Sequence, residues 1–169
     1  MTKHFIDFDN LSFEVLQDII DCAIALKKQH NESAINNSLK NKTLAMIFDK
    51  SSTRTRVSFE AGMAQLGGHA LFLSNNDIQL GRGEPITDSA IVISSMVDAV
   101  ILRISSHEDI IEFSKHSNKP VINALSDLSH PCQILADLMT YQEQKGSING
   151  KTVAWIGDGN NVCQTYMQA

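Results

Sequence analysis

At 169 residues the chain is long enough for one domain and leaves little for a second. Hydrophobic residues at 43% and charged residues at 20% describe a folded globular protein, not a disordered one. A formal net charge of -5 argues against nucleic acid as a partner, and charges break every apolar run before it could span a bilayer, so no membrane is expected either.

Three cysteines, Cys22, Cys132 and Cys163, are widely spaced and form no CxxC pair, which fits a reducing cytoplasm better than a disulfide framework. Met1-Thr2-Lys3-His4 runs into Asp7 and Asp9 without an apolar signal. A cytoplasmic location is expected.

In chain order, Ser12 is the first helix-cap candidate, with Leu11 and Leu16 placed as a hydrophobic staple. Leu16, Ile19, Ile20, Ala23 and Leu26 continue a helical stripe to about Lys28, and the Asn- and Ser-rich stretch 31–42 is a polar connection. Apolar runs at 43–48, 70–73, 99–104 and 120–123 predict strands. Helical patterns at 53–66, 87–97 and 107–116 lie between them, and one at 131–144 follows. This alternation predicts a doubly wound α/β domain: a sheet of about four parallel strands with helices on both faces and ligands beyond the carboxyl ends of the strands. The 14-residue connection SNNDIQLGRGEPIT is longer than such loops usually are, which marks it as functional or disordered. After the linker at 146–150, KTVAWIGDGNNVCQTYMQA reads as a strand, a Gly-rich turn and the start of a helix, the opening unit of a second α/β domain. The expected boundaries are 1–147 and 148–169.

The chemistry gathers at strand ends. Ser51-Ser52-Thr53-Arg54-Thr55-Arg56 sets hydroxyls and two arginines where the first strand becomes a helix. If Ser52 caps that helix, the next backbone N–H groups and the positive end of the dipole face outward as an anion site. Ordinary capping with exposed arginines is the alternative, and the density of donors favours the anion. His130-Pro131-Cys132-Gln133 opens a helix after the fourth strand, with Pro131 suited to its first turn. His130 there is either structural or part of the same site. A Cys132/His130 nucleophile pair is disfavoured because residues two apart on a helix point different ways. Arg103 inside AVILRIS needs an anionic partner, either a carboxylate of this chain or a ligand. WIGDGNN lacks the last glycine of a dinucleotide fingerprint and is weak support for a nucleotide.

Taken together and in order, STRTRVSFE, DIQLGRGE, SSMVDAVILRI, HPCQILADL and WIGDGNN resemble the ornithine carbamoyltransferases over essentially the whole chain. STRTR and HPxQ are shared by the wider carbamoyltransferase family, while DIQLGRGE and GDGNN look like the ornithine branch. The resemblance implies carbamoyl transfer from carbamoyl phosphate to the side-chain amine of L-ornithine, giving L-citrulline and phosphate, in arginine biosynthesis or catabolism. It implies that Ser52, Thr53 and Arg54 hold the phosphate and that Thr55, Arg103 and His130 act catalytically on the carbonyl oxygen. Gln133 would recognise the carbamoyl amino group. Gln79 would reach carbamoyl phosphate in a neighbouring subunit of a homotrimer, and Asn161 would contact ornithine. No metal and no organic cofactor is implied. The resemblance also implies a second domain of similar size, of which this sequence holds about twenty residues, so binding without turnover is expected. The alternatives are a carbamoyltransferase for aspartate or another amine, and a non-catalytic binding module for phosphate or carbamoyl phosphate.

Overall fold

A computed structural model of the chain describes residues 3–9, 11–74 and 84–169. Four strands, β1 (Thr43–Phe48), β2 (His69–Ser74), β3 (Ala99–Arg103) and β4 (Val121–Leu125), form one parallel sheet in the order β2-β1-β3-β4. The apolar runs at 43–48 and 99–104 read as continuous because both faces of these central strands are covered. Leu44 to Phe48 are all buried, and so are Val100 to Leu102.

Alternation along the strands divides this core in two. Ala45, Ile47, Val100 and Leu102 face one side, where they meet Ala90 of α3 (Ile86–Met96) and Ile110 and Phe113 of α4 (His107–His116). Leu44, Met46, Phe48 and Ile101 face the other, where Phe59 and Met63 of α2 (Thr53–Gln65) pack with Phe72. The edge-to-face pair Phe48–Phe72, with centroids 5.2 Å apart, closes this second cluster under the start of α2. Helix α5 (Pro131–Lys145) follows β4 and buries Ile134, and α1 (Phe13–Asn31) lies along it through Lys27–Glu143 and Gln17–Gln142. The doubly wound sheet expected from the sequence is therefore the observed fold, with helix ends within three residues of their expected positions.

Local chemistry explains the boundaries. Ser12 accepts from the Val15 N–H, and Ser106 accepts from the Asp109 N–H at 3.1 Å. Glu108 and Asp109 in the first turn of α4, with Lys115 and His116 in its last, complement the dipole at both ends.

Two features differ from the expectation. The N-terminal segment runs beside the outer edge of β4. The Phe5 N–H donates to Val121 O and the Asn123 N–H to Phe5 O, both at 2.8 Å, while the buried Asn123 amide donates to Ile6 O. One bridge is too short to leave a periodic pattern in the sequence. The strand expected over 151–156 is not formed. A strand persists through its ladder, and no described strand runs beside this segment. The helix expected after it, α6 (Asn161–Gln168), is present and packs on α5, where the Tyr166 hydroxyl donates to Asp137 Oδ2 at 2.7 Å. Among the described residues no helix is long and apolar enough to cross a membrane.

Candidate active site

From β1 the chain winds outward to β2, then returns to place β3 on the other side of β1. The reversal leaves a crevice at the carboxyl ends of β1 and β3, the position at which open α/β sheets bind ligands. The two strands end level, with Phe48 and Arg103 partners in register. On the far side of β3, Leu102 pairs with Asn123 but Arg103 pairs with Leu125, so Ala124 is an extra residue. That bulge bends the end of β4 beside the crevice, and Ala124 lines the cavity there.

The cavity measures about 440 Å³, and Ser52, Arg54, Thr55, Arg103, His130 and Gln133 are among the polar residues that line it, with Ser58. Six of the nine residues expected in the site thus converge, although Ser52 and Gln133 are 81 positions apart in sequence. Thr53, the first residue of α2, is exposed and does not line the cavity. Gln79 lies outside the described residues. Asn161 sits at the start of α6 with its amide on Ser126 O at 2.7 Å, apart from the cavity wall.

Ser52 occupies the N-cap position of α2, but its side chain does not cap. The hydroxyl turns toward the cavity and donates to Thr55 Oγ1 at 3.0 Å. The first N–H groups of α2 are therefore not satisfied by that hydroxyl, which leaves the positive end of the helix more open to an anion than a capped one would be. Thr55 Oγ1 also accepts from Arg103 Nη1 at 3.1 Å, so Ser52, Thr55 and Arg103 form one chain of donors.

Arg103 answers the question its sequence position raised. No carboxylate of the described residues forms an ion pair with it, and its buried Nε has no hydrogen-bond partner among them. Desolvation lowers its pKa most. Asp49 opposes that shift through space, and Arg54 adds to it. Two guanidinium groups facing one cavity make a positive field that a doubly charged anion would relieve.

His130 is the N-cap residue of α5, held ahead of Pro131 at the first helical position. Burial and then the Arg103 charge bring its pKa down to about 4, against a weaker opposing pull from Asp137. The imidazole is neutral at pH 7, and its buried Nδ1 has no partner among the described residues. Gln133 donates through Nε2 to Asp137 Oδ1 at 3.0 Å, which fixes the amide and leaves its carbonyl oxygen to accept. Burial pushes the Cys132 thiol up to about 12, and its sulfur donates to Asn123 O. A thiol so hard to ionise is no nucleophile, in agreement with the sequence reading.

Reasoning from the sequence missed the wiring behind His130. The His130 N–H donates to Thr165 Oγ1 at 2.9 Å, and Ser129 Oγ lies 3.3 Å from the same atom. Thr165 is 35 positions away on α6, and no local pattern connects the two segments. Among the described residues no group of three or more His, Cys, Asp or Glu could hold a metal ion.

A doubly wound parallel sheet with an open helix N-terminus, two arginines and a neutral histidine at its switch point defines an α/β domain built to take a small anion. The chain belongs to a family that fits this description: residues 3–143 match the aspartate/ornithine carbamoyltransferase, carbamoyl-P binding domain. It is 71% identical over 169 residues to the ornithine carbamoyltransferase of Ruthia magnifica subsp. Calyptogena magnifica, covering 100% of this chain and 56% of that protein. It is 55% identical over 167 residues to the anabolic ornithine carbamoyltransferase of Pseudomonas aeruginosa, covering 99% of this chain and 55% of that one. Among solved structures, the ornithine carbamoyltransferase of Burkholderia thailandensis superposes with a TM-score of 0.94 at 50% identity, over 98% of this chain and 57% of that one. The Pyrococcus furiosus enzyme superposes with a TM-score of 0.95 at 48% identity, over 98% of this chain and 53% of that one. The chain thus spans about half the length of the curated relatives it matches.

Proposed function

We propose that the cavity at the ends of β1, β3 and β4 binds carbamoyl phosphate, and that this chain is the carbamoyl-phosphate half of an enzyme that carbamoylates the side-chain amine of L-ornithine. The observation that carries the reading is Arg103: a cation at the end of an apolar strand, its buried Nε without a partner among the described residues, lining a cavity it shares with Arg54. A part-buried cation whose Nε is buried without a hydrogen-bond partner among the described residues, and which Asp49 balances only through space, calls for an external anion. Ornithine is favoured over aspartate as the acceptor because relatives from 53% to 71% identical carry the ornithine name.

In this reading Ser52, Arg54 and the open amides of α2 hold the phosphate group, and Thr53, whose side chain lies off the cavity wall, contributes through its place in that first turn. Thr55, whose oxygen accepts from Ser52 and Arg103, turns its own proton to the carbonyl oxygen of the ligand. Arg103 and neutral His130 add donors to that oxygen, so negative charge developing on attack meets donors already in place. Gln133 Oε1 accepts from the carbamoyl amino group. The amine lone pair of ornithine then forms the new C–N bond, the C–O bond to phosphate breaks, and the amine proton leaves with phosphate. Phosphate is a good leaving group, so the chain's contribution is position and charge.

The domain boundary at 147/148, the contact of Asn161 with ornithine, the reach of Gln79 into a neighbour's site, the trimer and the cytoplasmic location belong to this same proposal. The direct test is calorimetry of chain 1–169 with carbamoyl phosphate and, separately, with inorganic phosphate. Saturable binding of both supports the reading. No binding of either at millimolar ligand, about the weakest affinity the method resolves, refutes it.

A further inference from the structure

The loop between β4 and α5, residues 126–130, carries His130 into the cavity, and α6 holds it at both ends. Asn161 Nδ2 donates to Ser126 O at 2.7 Å, and the His130 N–H donates to Thr165 Oγ1 at 2.9 Å. Thr165 is fully buried and its hydroxyl is saturated. It donates to Asn161 O at 2.7 Å, accepts from His130 and takes the Ser129 hydroxyl on its remaining lone pair. The His130 N–H has no intrahelical acceptor, because residue 130 is the N-cap of α5. Within the loop, the Ser129 and Leu128 N–H groups converge on Ser126 Oγ and Ser129 O accepts from the Ser126 N–H, whereas the His130 N–H goes outside it, to α6.

We propose that Thr165 is a positioning residue for His130: from a helix 35 positions away it fixes the peptide from which the imidazole projects into the cavity. This rests on the proposed function only in assigning His130 to the carbonyl oxygen of carbamoyl phosphate. The side chain of Thr165 does not line the cavity, so it acts through the backbone of residue 130 and not on the ligand. The assignment separates two ligands by their contacts. Inorganic phosphate would sit on Ser52, Arg54 and the α2 amides, whereas carbamoyl phosphate would also need His130.

The test uses chain 1–169 and its Thr165→Val and Thr165→Ser variants, titrated with each ligand. Thr165→Val keeps the shape and removes the hydroxyl, so carbamoyl phosphate affinity should fall about tenfold, the scale of one lost buried hydrogen bond, while phosphate affinity changes by less than about twofold. Thr165→Ser should restore carbamoyl phosphate binding. Equal loss of both ligands, no loss, or a serine variant as weak as valine overturns the proposal. If Thr165→Val does not fold, amide hydrogen exchange of the unmodified chain decides the matter: the His130 N–H should be as protected as the β4 core, and rapid exchange overturns the clamp. If the unmodified chain binds neither ligand, the proposed function fails, while the exchange measurement still tests Thr165.

Discussion

Lowering the pH should destabilise the chain through His130 in a window set by its pKa. The folded value is near 4 and the ordinary value is 6.5, so between them the unfolded chain takes up a proton that the folded chain refuses. Stability is therefore highest above pH 6.5, falls as pH drops toward 4, and levels off below that. A shift of this size would amount to about 3 kcal/mol if the ring were fully shielded. The imidazole is only part-buried and solvent screens it, so a loss of about 1–2 kcal/mol is the expected outcome. Urea unfolding midpoints at pH 7, 5.5 and 4 measure it. His4, whose pKa is also lowered by burial, adds to the same acid slope, so His130→Gln serves as the control that isolates one ring. The variant should lose less stability than the parent over the window. A His130→Gln chain with the parent's acid slope, or an imidazole titrating near 6.5 by NMR, would refute the reasoning.

Arg54→Ala should weaken phosphate or carbamoyl phosphate binding by about 2 kcal/mol or more, the scale of a lost charge-assisted hydrogen bond, with unchanged calorimetry showing the site misplaced. Cys132, its thiol pushed up to about 12, should resist maleimide at pH 8 while exposed Cys22 reacts, as read by mass spectrometry. Phe113→Ala, which empties a fully buried ring under β1 and β3, should cost about 3–5 kcal/mol in urea. Purified 1–169 should make almost no citrulline from carbamoyl phosphate and ornithine, because an amine left unpositioned forfeits about 7–11 kcal/mol of barrier reduction. Robust saturable activity would show that no further residues are needed.

What the sequence made legible was whatever depends on local pattern. The four strands announce themselves because a parallel strand covered on both faces must be apolar throughout, and β1 and β3 are. Arg103 stands out against that same background: one guanidinium in AVILRIS is a conspicuous exception. Helix starts were readable at Ser12 and Pro131, where cap chemistry is local. Ser52 occupies the N-cap position as expected, yet its hydroxyl donates to Thr55 Oγ1 and accepts from no amide of α2, a side-chain partner that only the folded turn reveals. The bulge at Ala124 and the contacts from Phe5 to β4 left no trace, because both depend on which strands become neighbours. The segment 151–156 has a strand's composition without a strand's partner, and composition alone does not make a ladder. Thr165 was invisible for the same reason as the register: its role exists only once α6 has packed.

The energetics of the cavity follow from what each group gives up on folding. Arg103 loses water from its guanidinium and gains, among the described residues, the Thr55 hydroxyl and the through-space pull of Asp49, and His130 is held neutral next to it. In each, burial disfavours the charged form, and the apolar clusters on both faces of the sheet hold the fold together around them. A dianion entering the crevice reverses the balance at several groups together, because it partners the buried donors and offsets the mutual repulsion of Arg54 and Arg103. Part of the binding energy is thus the release of an electrostatic penalty already present in the free chain. Ligand should accordingly raise the melting temperature by mass action, adding about 2.7 kcal/mol at a hundredfold excess over Kd. The same logic accounts for a neutral histidine in so positive a site. A third cation there would strengthen attraction for phosphate but deepen the penalty, whereas neutral His130 can donate to an oxygen that becomes anionic without adding to the charge that Arg54 and Arg103 already supply.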